Sequence, residues 1–471
     1  RAVTAGDIVA VAREYLKPDN LTVAAVVPEG EGGLISGGEI REIAAEAYRE
    51  AMREAGEEGK GGAVVKEVLE NGIRVVVRED RAVPVVAVEA GFLSGLRAEP
   101  KGKGGLSVMA GEMLTKGTKD RTARQISEAV ENIAADLSGF SGRNSLGLRA
   151  RFMSRDFATG FRLFTECLRW PTFPVEELEK KRREILGRLK LQKDDMTQSV
   201  ILLFLATHYE DHPYARNPLG TEESVRGVAR EEVEQYYLRW ADPRNLVITV
   251  SGDIGAQEAL AVVRAAFGDL PRREDFVPIE AMAVPEERGI RRAEEPLDKE
   301  QAHFVIGYTG ARFTDPDRYA LDVLGAALAG MGGRLFTNLR DKKSLAYAVT
   351  SFSSEQVDPG FFAFYMGTSS DKREGAIADT LKEIEDVRDH GITAEELDRA
   401  KKWMVGTYEI GLQSNSAFAE RMMYNELYEI GYEETFRAPE KIEAVTLEEV
   451  NRVAMRIFRT DRYTIAVLGG K

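Results

Sequence analysis

The sequence predicts an α+β protein built from two homologous modules of about 220 residues, each a mostly antiparallel sheet packed with helices. The first observation is a repeat: an amphipathic helix, a polar turn and a β-branched strand follow one another from Gly6, from Arg230 and from Leu447. The second is that each module opens with an alternating strand, "PVVAVEAGF" or "AHFVIGYTGARF", and then a helix rich in small residues. Three ungapped copies at nearly equal spacing indicate two modules in tandem.

The repeat divides the chain into five segments. Residues 1–30 carry a copy of the repeat with no module before it, so we expect the closing helix and strand of a preceding module. Residues 31–62 are rich in Ala and Glu and bracketed by glycine pairs, which predicts a linker helix. The first module then spans 63–272, a proline-rich linker spans 273–289, and the second module spans 290–471.

Both modules contain a later helix with one apolar stripe, which indicates packing on a sheet. In the first module the stripe consists of Leu178, Ile185 and Leu189, and in the second it consists of Leu397, Ala400, Met404 and Tyr408. The segments "YAVTSFSSE" and "GFFAFYMGTS" alternate in polarity and predict a hairpin through "QVDPG". An exposed edge of such a sheet is able to accept an extended peptide by strand addition.

Composition excludes several classes of function. The chain has 64 Lys and Arg against 78 Asp and Glu, a net charge of -14, so it lacks the basic face that a nucleic-acid partner requires. Its single cysteine, Cys167, forms no internal disulfide, and a buried apolar role is the simplest account of it. The best apolar stretch, Tyr319 to Met331, is too short for a membrane span and contains Asp322.

The segment "THYEDHPY" raises the question of a metal, because His208 and His212 stand four residues apart beside two carboxylates. Only two further histidines, His303 and His390, occur in the chain. A hydrolase that uses this segment is one hypothesis. The alternative is a helix-end histidine followed by a turn, since Pro213 disfavours helical geometry at His212 and the two rings would then not share a face.

The segment "GGLSVMAGEMLTKGT", residues 104 to 118, resembles the insulinase-like zinc peptidases, the family that includes pitrilysin and mitochondrial processing peptidase. That family has the pattern GLxHxxEHxxxKGT in this place. The matching positions are Gly105, Leu106, Met113, Leu114, Lys116, Gly117 and Thr118. The resemblance covers residues 4 to 470 and implies the insulinase-like peptidase fold for both modules.

The chemical positions of that pattern are degenerate in this chain. In the family, two histidines bind zinc and the glutamate between them is the general base. The corresponding residues are Val108 for the first ligand, Gly111 for the base and Glu112 for the second ligand, and Lys181 or Arg182 lies near the point of the remaining glutamate ligand. We therefore expect no metal and no catalytic residue in this segment.

The second module keeps a different part of the pattern. Its "GMGGRLFTNLRDKKSLAYAVTSF" resembles the RxxxxxxY segment of the family, with Arg340 and Tyr347 in place. The resemblance implies that these side chains bind the substrate backbone beside the zinc of the catalytic half. Without the resemblance, Arg340 is a surface arginine near a helix C-terminus and Tyr347 begins an edge strand.

The hypothesis that unites these observations is a non-catalytic half of a zinc-dependent metalloendopeptidase. It would enclose an unfolded peptide together with a catalytic half, which belongs to the same natural chain or to a partner subunit and carries the zinc. The alternative is a structural scaffold, like the inactive relatives that serve as core subunits of the cytochrome bc complex. Both the bacterial periplasm and the cytoplasm are compatible with the sequence.

Overall fold

The computed structural model describes residues 64–470, in which the strands form two sheets and helices pack against them. The helix and strand predicted at 1–30 and the linker helix predicted at 31–62 lie outside the described residues. The first sheet has the order β1-β2-β6-β3-β5-β4, with strands β1 (Val64–Val68), β2 (Arg74–Glu79), β3 (Val85–Leu93), β4 (Asp136–Ser141), β5 (Ser145–Met153) and β6 (Leu246–Gly252). The second has the order β7-β11-β8-β10-β9, with strands β7 (Ile290–Glu295), β8 (Gln301–Thr309), β9 (Ala348–Ser354), β10 (Phe361–Ser369) and β11 (Tyr463–Gly469).

The two sheets have the same pattern of strand directions. Apart from the additional edge strand β1 of the first sheet, which pairs antiparallel with β2, each sheet begins with one parallel pair, β2 with β6 and β7 with β11, and the other neighbours are antiparallel. The predicted hairpin is present, since β9 and β10 pair from Ser354 with Phe361 to Ala348 with Gly367. The predicted fold class, two modules of mostly antiparallel sheet packed with helices, is confirmed.

Helices cover both sheets. The helices of the first module are α1 (Leu106–Met113), α2 (Ala123–Glu131), α3 (Phe157–Arg169), α4 (Val175–Asp194), α5 (Met196–Tyr209), α6 (Glu222–Gly227), α7 (Arg230–Trp240) and α8 (Ala256–Phe267). The helices of the second module are α9 (Arg318–Leu328), α10 (Arg373–His390), α11 (Ala394–Gly411), α12 (Asn415–Leu427), α13 (Glu434–Ala444) and α14 (Leu447–Ile457). Within the described residues, no helix is both long and apolar enough to cross a membrane.

The two modules exchange helices, a feature that the sequence did not predict. Helix α5 of the first module packs on β8 and β11 of the second, where Phe204 enters the core. Helix α12 of the second packs on β3 and β6 of the first, where Met423 and Leu427 contact Val247. Because helices cover both faces of each sheet, central strands such as β3 are buried at consecutive residues rather than at alternate ones.

Glycines in the two sheets make room for the exchanged helices. A Cβ atom at Gly91 of β3 would lie 2.4 Å from the sulfur of Met423. A Cβ atom at Gly307 of β8 would lie 2.4 Å from the ring of Phe204. Real Cβ atoms do not approach so closely, so each exchanged helix seats a side chain in the space that a glycine leaves.

Candidate functional site

Helix α1 carries the first position of the degenerate metal pattern. It begins after Gly105, whose φ of 87° lies in the left-handed region that glycine adopts at no steric cost. One turn into the helix, Val108 is buried in the core of the first module with 7% of its surface exposed. An isopropyl group has no lone pair, so the first ligand position offers nothing to a cation.

The space beside Gly111, which stands at the position of the general base, is occupied by the backbone of a neighbouring strand. Helix α1 lies directly against the edge strand β4, where a Cβ atom at Gly111 would be only 2.6 Å from the carbonyl oxygen of Phe140. A Cβ atom at Gly139 would in turn be 1.8 Å from the carbonyl oxygen of Gly111. The two backbones therefore touch through paired glycines, and a carboxylate side chain does not fit at residue 111.

Glu112 is neutralised by cations of α4. Its Oε1 atom lies 2.5 Å from Nη1 of Arg188, and its Oε2 atom lies 3.5 Å from Nζ of Lys181. Arg182 instead donates to the carbonyl oxygens of Val225 and Val228. Of the two residues that the sequence left open, Lys181 is therefore the one beside Glu112, and its ammonium group has no lone pair to offer a metal ion.

These residues do not fit zinc. The three positions offer an alkyl group, a bare backbone and a carboxylate already paired with two cations, whereas zinc requires deprotonated nitrogen, sulfur or oxygen ligands. Across residues 64–470, no group of three or more His, Cys, Asp or Glu side chains is placed to hold a metal ion. Cys167 is buried, and burial raises the pKa of its thiol to about 12.

The histidines of "THYEDHPY" point to different partners at the seam between the modules. His208, in the last turn of α5, places Nδ1 3.0 Å from the hydroxyl of Thr464 on β11. Burial, with a smaller contribution from the charge of Arg291, lowers the pKa of His208 to about 3, so the ring is neutral. His212 leaves the helix with ψ of 145° and accepts the backbone N–H of Tyr214 at Nδ1. The two rings are not arranged as a chelating pair.

His212 belongs to a buried cluster around Asp358, which lies in the turn between β9 and β10. Nε2 of His212 is 3.3 Å from Asp358, and Arg97 of the first module binds the same carboxylate through Nε and, at 2.9 Å, through Nη2. The backbone N–H of Met282 donates to it at 2.7 Å. Burial opposes ionisation of Asp358, but hydrogen bonds from His212 and Arg97 hold its pKa below the usual range.

Arg340 and Tyr347 both precede the edge strand β9. Arg340 is exposed on a short π-helix, Phe336–Lys342, with its guanidinium carbon 4.7 Å from the centre of the Phe336 ring. The backbone N–H of Tyr347 donates to the carbonyl oxygen of Gly367 at 2.8 Å, which fixes the residue at the head of β9, and 59% of its surface is exposed. Among the described residues, neither the guanidinium nor the phenol has a hydrogen-bond partner.

Sequence reasoning missed a second pair of polar groups. Asp322 of α9 and Glu355, directly after β9, face a cleft in the second module. In the sequence, Asp322 is visible only as an interruption of an apolar stretch. That interruption was itself the signal, because a carboxylate within an apolar helix is costly to bury unless a partner or a ligand offsets the cost.

Comparison with known proteins places the chain in a family. The model of insulinase (peptidase family M16) matches residues 74–222, and the model of the peptidase M16 inactive domain matches residues 227–404. An uncharacterized zinc protease of Streptomyces coelicolor is 29% identical over 87% of this chain and 90% of its own length. The uncharacterized zinc protease YmxG of Bacillus subtilis is 28% identical over 85% of this chain and 96% of its own length.

Two solved structures share the fold. The peptidase M16 inactive domain from Pseudomonas fluorescens superposes with a TM-score of 0.79 at 22% identity, over 87% of this chain and 98% of that one. A protease from Helicobacter pylori superposes with a TM-score of 0.79 at 21% identity, over 86% of this chain and 99% of that one. The resemblance inferred from residues 104 to 118 is confirmed: the chain belongs to the insulinase family, peptidase family M16.

Proposed function

We propose that this chain is the non-catalytic half of a zinc metalloendopeptidase. Together with a catalytic half it encloses an extended peptide. The side chains of Arg340 and Tyr347 donate hydrogen bonds to the backbone of that peptide. The observation that carries the proposal is the contrast between its two candidate sites. The metal positions are filled or neutralised, whereas the two hydrogen-bond donors of the second module are exposed and unoccupied within residues 64–470.

The chemistry of the two donors suits a peptide carbonyl. A guanidinium and a phenol both donate hydrogen bonds from fixed planar groups, and neither accepts a proton readily at neutral pH. When water attacks a peptide bond, the carbonyl oxygen gains negative charge, which such donors stabilise more strongly than they stabilise the neutral carbonyl. Arg340 and Tyr347 would therefore lower the barrier as well as orient the substrate.

Zinc belongs to the partner half in this proposal. A bound zinc ion supplies a water molecule of lowered pKa and polarises the substrate carbonyl. The packing of Val108 and Gly111 and the ion pairs of Glu112 support the assignment of both tasks to the partner half. The relatives named zinc proteases are covered over 90% or more of their length, which supports a two-module unit as one working half.

The test is reconstitution of peptide cleavage with a matching catalytic half. The wild-type chain should restore cleavage of an unfolded peptide, and we expect Arg340→Ala to lower kcat/KM by about 10²-fold or more, because one transition-state donor is lost. Tyr347→Phe removes only the hydroxyl and should lower kcat/KM by a similar or smaller factor. Lys342→Ala, on the same π-helix, is the matched control and should leave kcat/KM unchanged.

Two outcomes would contradict the proposal. Turnover that is the same for Arg340→Ala, Tyr347→Phe and the wild-type chain would remove the role of both donors. Cleavage by the isolated chain that is abolished by a chelator would place the metal site in this half.

A further inference from the structure

A short connector, residues 343–346, joins the π-helix that carries Arg340 to Tyr347 at the head of β9. At its start, the backbone N–H of Ser344 donates to the carbonyl oxygen of Arg340 at 3.0 Å. Directly after it, the backbone N–H of Tyr347 donates to the carbonyl oxygen of Gly367 on β10 at 2.8 Å. Any shift of the connector backbone therefore changes the distance between the two donors.

The connector has a backbone conformation that its surroundings must hold. Ser344 has φ of 51°, in the left-handed region, which costs free energy for a residue with a side chain. Such a conformation persists only where neighbouring contacts determine it. On the solvent side, Nζ of Lys372 donates to the carbonyl oxygen of Ser344 at 3.1 Å. Both residues are exposed, so water competes for this hydrogen bond and it holds the connector only weakly.

The inner side of the connector is held by Thr368 of β10. This residue is fully buried, and its hydroxyl donates to the carbonyl oxygen of Leu345 at 2.5 Å. A buried hydroxyl is unfavourable unless it forms a hydrogen bond, and a valine of the same shape fits the interior of a strand without that cost. Because β10 lies between β8 and β9 in the sheet, the hydroxyl that reaches the connector is itself in a fixed position.

We propose that Thr368 is a positioning residue for Arg340 and Tyr347. Its hydroxyl fixes the connector against β10, and the connector fixes the two donors relative to each other. The inference rests on the proposed function, which assigns both donors to the carbonyl group of a peptide. A misplacement of about 1 Å at a reacting centre costs about 10²-fold in rate, so one buried hydrogen bond outside the site is able to affect cleavage strongly.

The first test is cleavage by the whole chain reconstituted with a matching catalytic half. Thr368→Val removes the hydroxyl and keeps the branched shape. We expect kcat to fall by about tenfold or more while KM changes by less than about threefold, because the donors bind the charged oxygen of the transition state more strongly than the neutral carbonyl of the substrate. Thr368→Ser returns the hydroxyl and should bring kcat to within about threefold of the wild-type value.

Thr380→Val is the matched control in the same module. Thr380 has 1% of its surface exposed and donates its hydroxyl to the carbonyl oxygen of Ala376 at 2.8 Å, within α10. Both valine variants lose one buried hydrogen bond to a backbone carbonyl, but only Thr368→Val releases the connector. We therefore expect Thr380→Val to keep the wild-type kcat and KM.

Hydrogen exchange of the chain alone provides a second readout. The Tyr347 amide exchanges when its bond to Gly367 opens, so Thr368→Val should lower its protection by about tenfold. Thr368→Ser and Thr380→Val should leave that protection unchanged. The amides of β10 that pair with β8 should stay protected in every variant, which separates release of the connector from a loss of global stability.

Four results would overturn the inference: a wild-type kcat in Thr368→Val, no recovery in Thr368→Ser, an equal fall in Thr380→Val, or unchanged protection of the Tyr347 amide in Thr368→Val. Lys372→Ala changes an exposed residue and frees the other side of the connector, so it tests the inference even if Thr368→Val does not fold. We expect it to lower kcat by about threefold, and an unchanged kcat together with unchanged Tyr347 protection would overturn the inference.

The two proposals fail in different ways. If Arg340→Ala and Tyr347→Phe both cleave as the wild-type chain does, the proposed function fails, whatever hydrogen exchange shows for the connector. If those variants lower kcat/KM and Thr368→Val does not, the donors keep their role and only the positioning by Thr368 is refuted.

Discussion

At the scale of single residues, Gly111 and Gly139 decide what helix α1 is able to hold. Their backbones touch, so α1 approaches the edge strand β4 more closely than any side chain at either position would permit. The family pattern needs a glutamate at residue 111, and that glutamate would force helix and strand apart. The absence of a glutamate at residue 111 and the tight packing of the edge strand are thus linked.

The substitution Gly139→Ala tests this packing. Its Cβ atom would lie 1.8 Å from the Gly111 carbonyl oxygen, so we expect the free energy of unfolding in urea to fall by about 2 kcal/mol or more. Gly187→Ala is the matched control, since no atom lies within 4 Å of the added methyl group and alanine favours the interior of α4. An equal effect of the two substitutions would show that α1 and β4 separate without cost.

At the scale of elements, the exchanged helices join the modules. Helix α12 lies on β3 over Glu89, a carboxyl with 3% of its surface exposed and one oxygen without a hydrogen-bond partner. Burial raises the pKa of Glu89 to about 8, although Arg149, 3.8 Å away, lowers it, while Glu420 of α12 raises it further. The face of β3 that α12 covers therefore contains a carboxyl group that is mostly protonated at neutral pH.

This protonation predicts that α12 loosens as the pH rises. The folded pKa of about 8 exceeds the ordinary value of 4.5, so the folded chain holds the extra proton. The stabilisation is complete below pH 4.5 and is lost as the pH rises through 8, with a slope of at most about 1.4 kcal/mol per pH unit. Hydrogen exchange of the α12 amides, corrected for intrinsic rates, should show falling protection between pH 6 and 8.

Variants isolate the contribution of Glu89. Glu89→Gln should keep the protection of the α12 amides nearly constant over the same range, because the amide does not ionise. Glu440→Gln should behave as the wild-type chain does, since that carboxylate is exposed. Protection that falls equally with pH in the wild-type chain and in Glu89→Gln would assign the change to another group.

At the scale of the whole molecule, the sequence predicted what its local patterns encode. Helix–turn–strand repeats and alternating strands revealed two modules and their sheets. The apolar stripe at Leu178, Ile185 and Leu189 is buried, but the prediction that it packs on a sheet was wrong, because α4 packs mainly on the helices α1, α5 and α6, and the matching helix α11 packs mainly on α9 and α13. The exchange of α5 and α12 was missed, because an amphipathic helix with Phe204 on its apolar face does not specify which sheet it covers. The cleft with Asp322 and Glu355 was missed for a related reason, since the two residues meet only through the packing of α9 beside β9.

The candidate site, like the fold, was only partly predictable from the sequence. A motif shows which positions lack ligand atoms, so Val108 and Gly111 were identifiable from the sequence. A motif does not show which of two adjacent cations turns inward, and the packing of α4 decided between Lys181 and Arg182. Likewise, the segment around His208 suggested a metal until the second module supplied Thr464 and Asp358 as partners of its two histidines.

The buried cluster at Asp358 predicts that the two modules unfold together. Arg97 of the first module and Asp358 of the second are both almost fully buried, and the cluster also draws in His212 and the backbone of Met282. The substitution Asp358→Asn would leave the Arg97 charge unpaired, and we expect the free energy of unfolding to fall by about 3–5 kcal/mol. Because the lost contacts join the modules, one urea transition in the wild-type chain should separate into two.

The control for that experiment is Asp136→Asn, which breaks an exposed ion pair with Arg151 and should change the free energy of unfolding by less than about 1 kcal/mol. The double substitution Arg97→Met with Asp358→Leu should recover part of the loss, since no unpaired charge remains buried. In the proposed function this coupling would matter, because Arg340 and Tyr347 would meet a peptide in a fixed position only if the second module is held by the first. A single, unshifted transition in Asp358→Asn would mean that the exchanged helices alone provide that coupling.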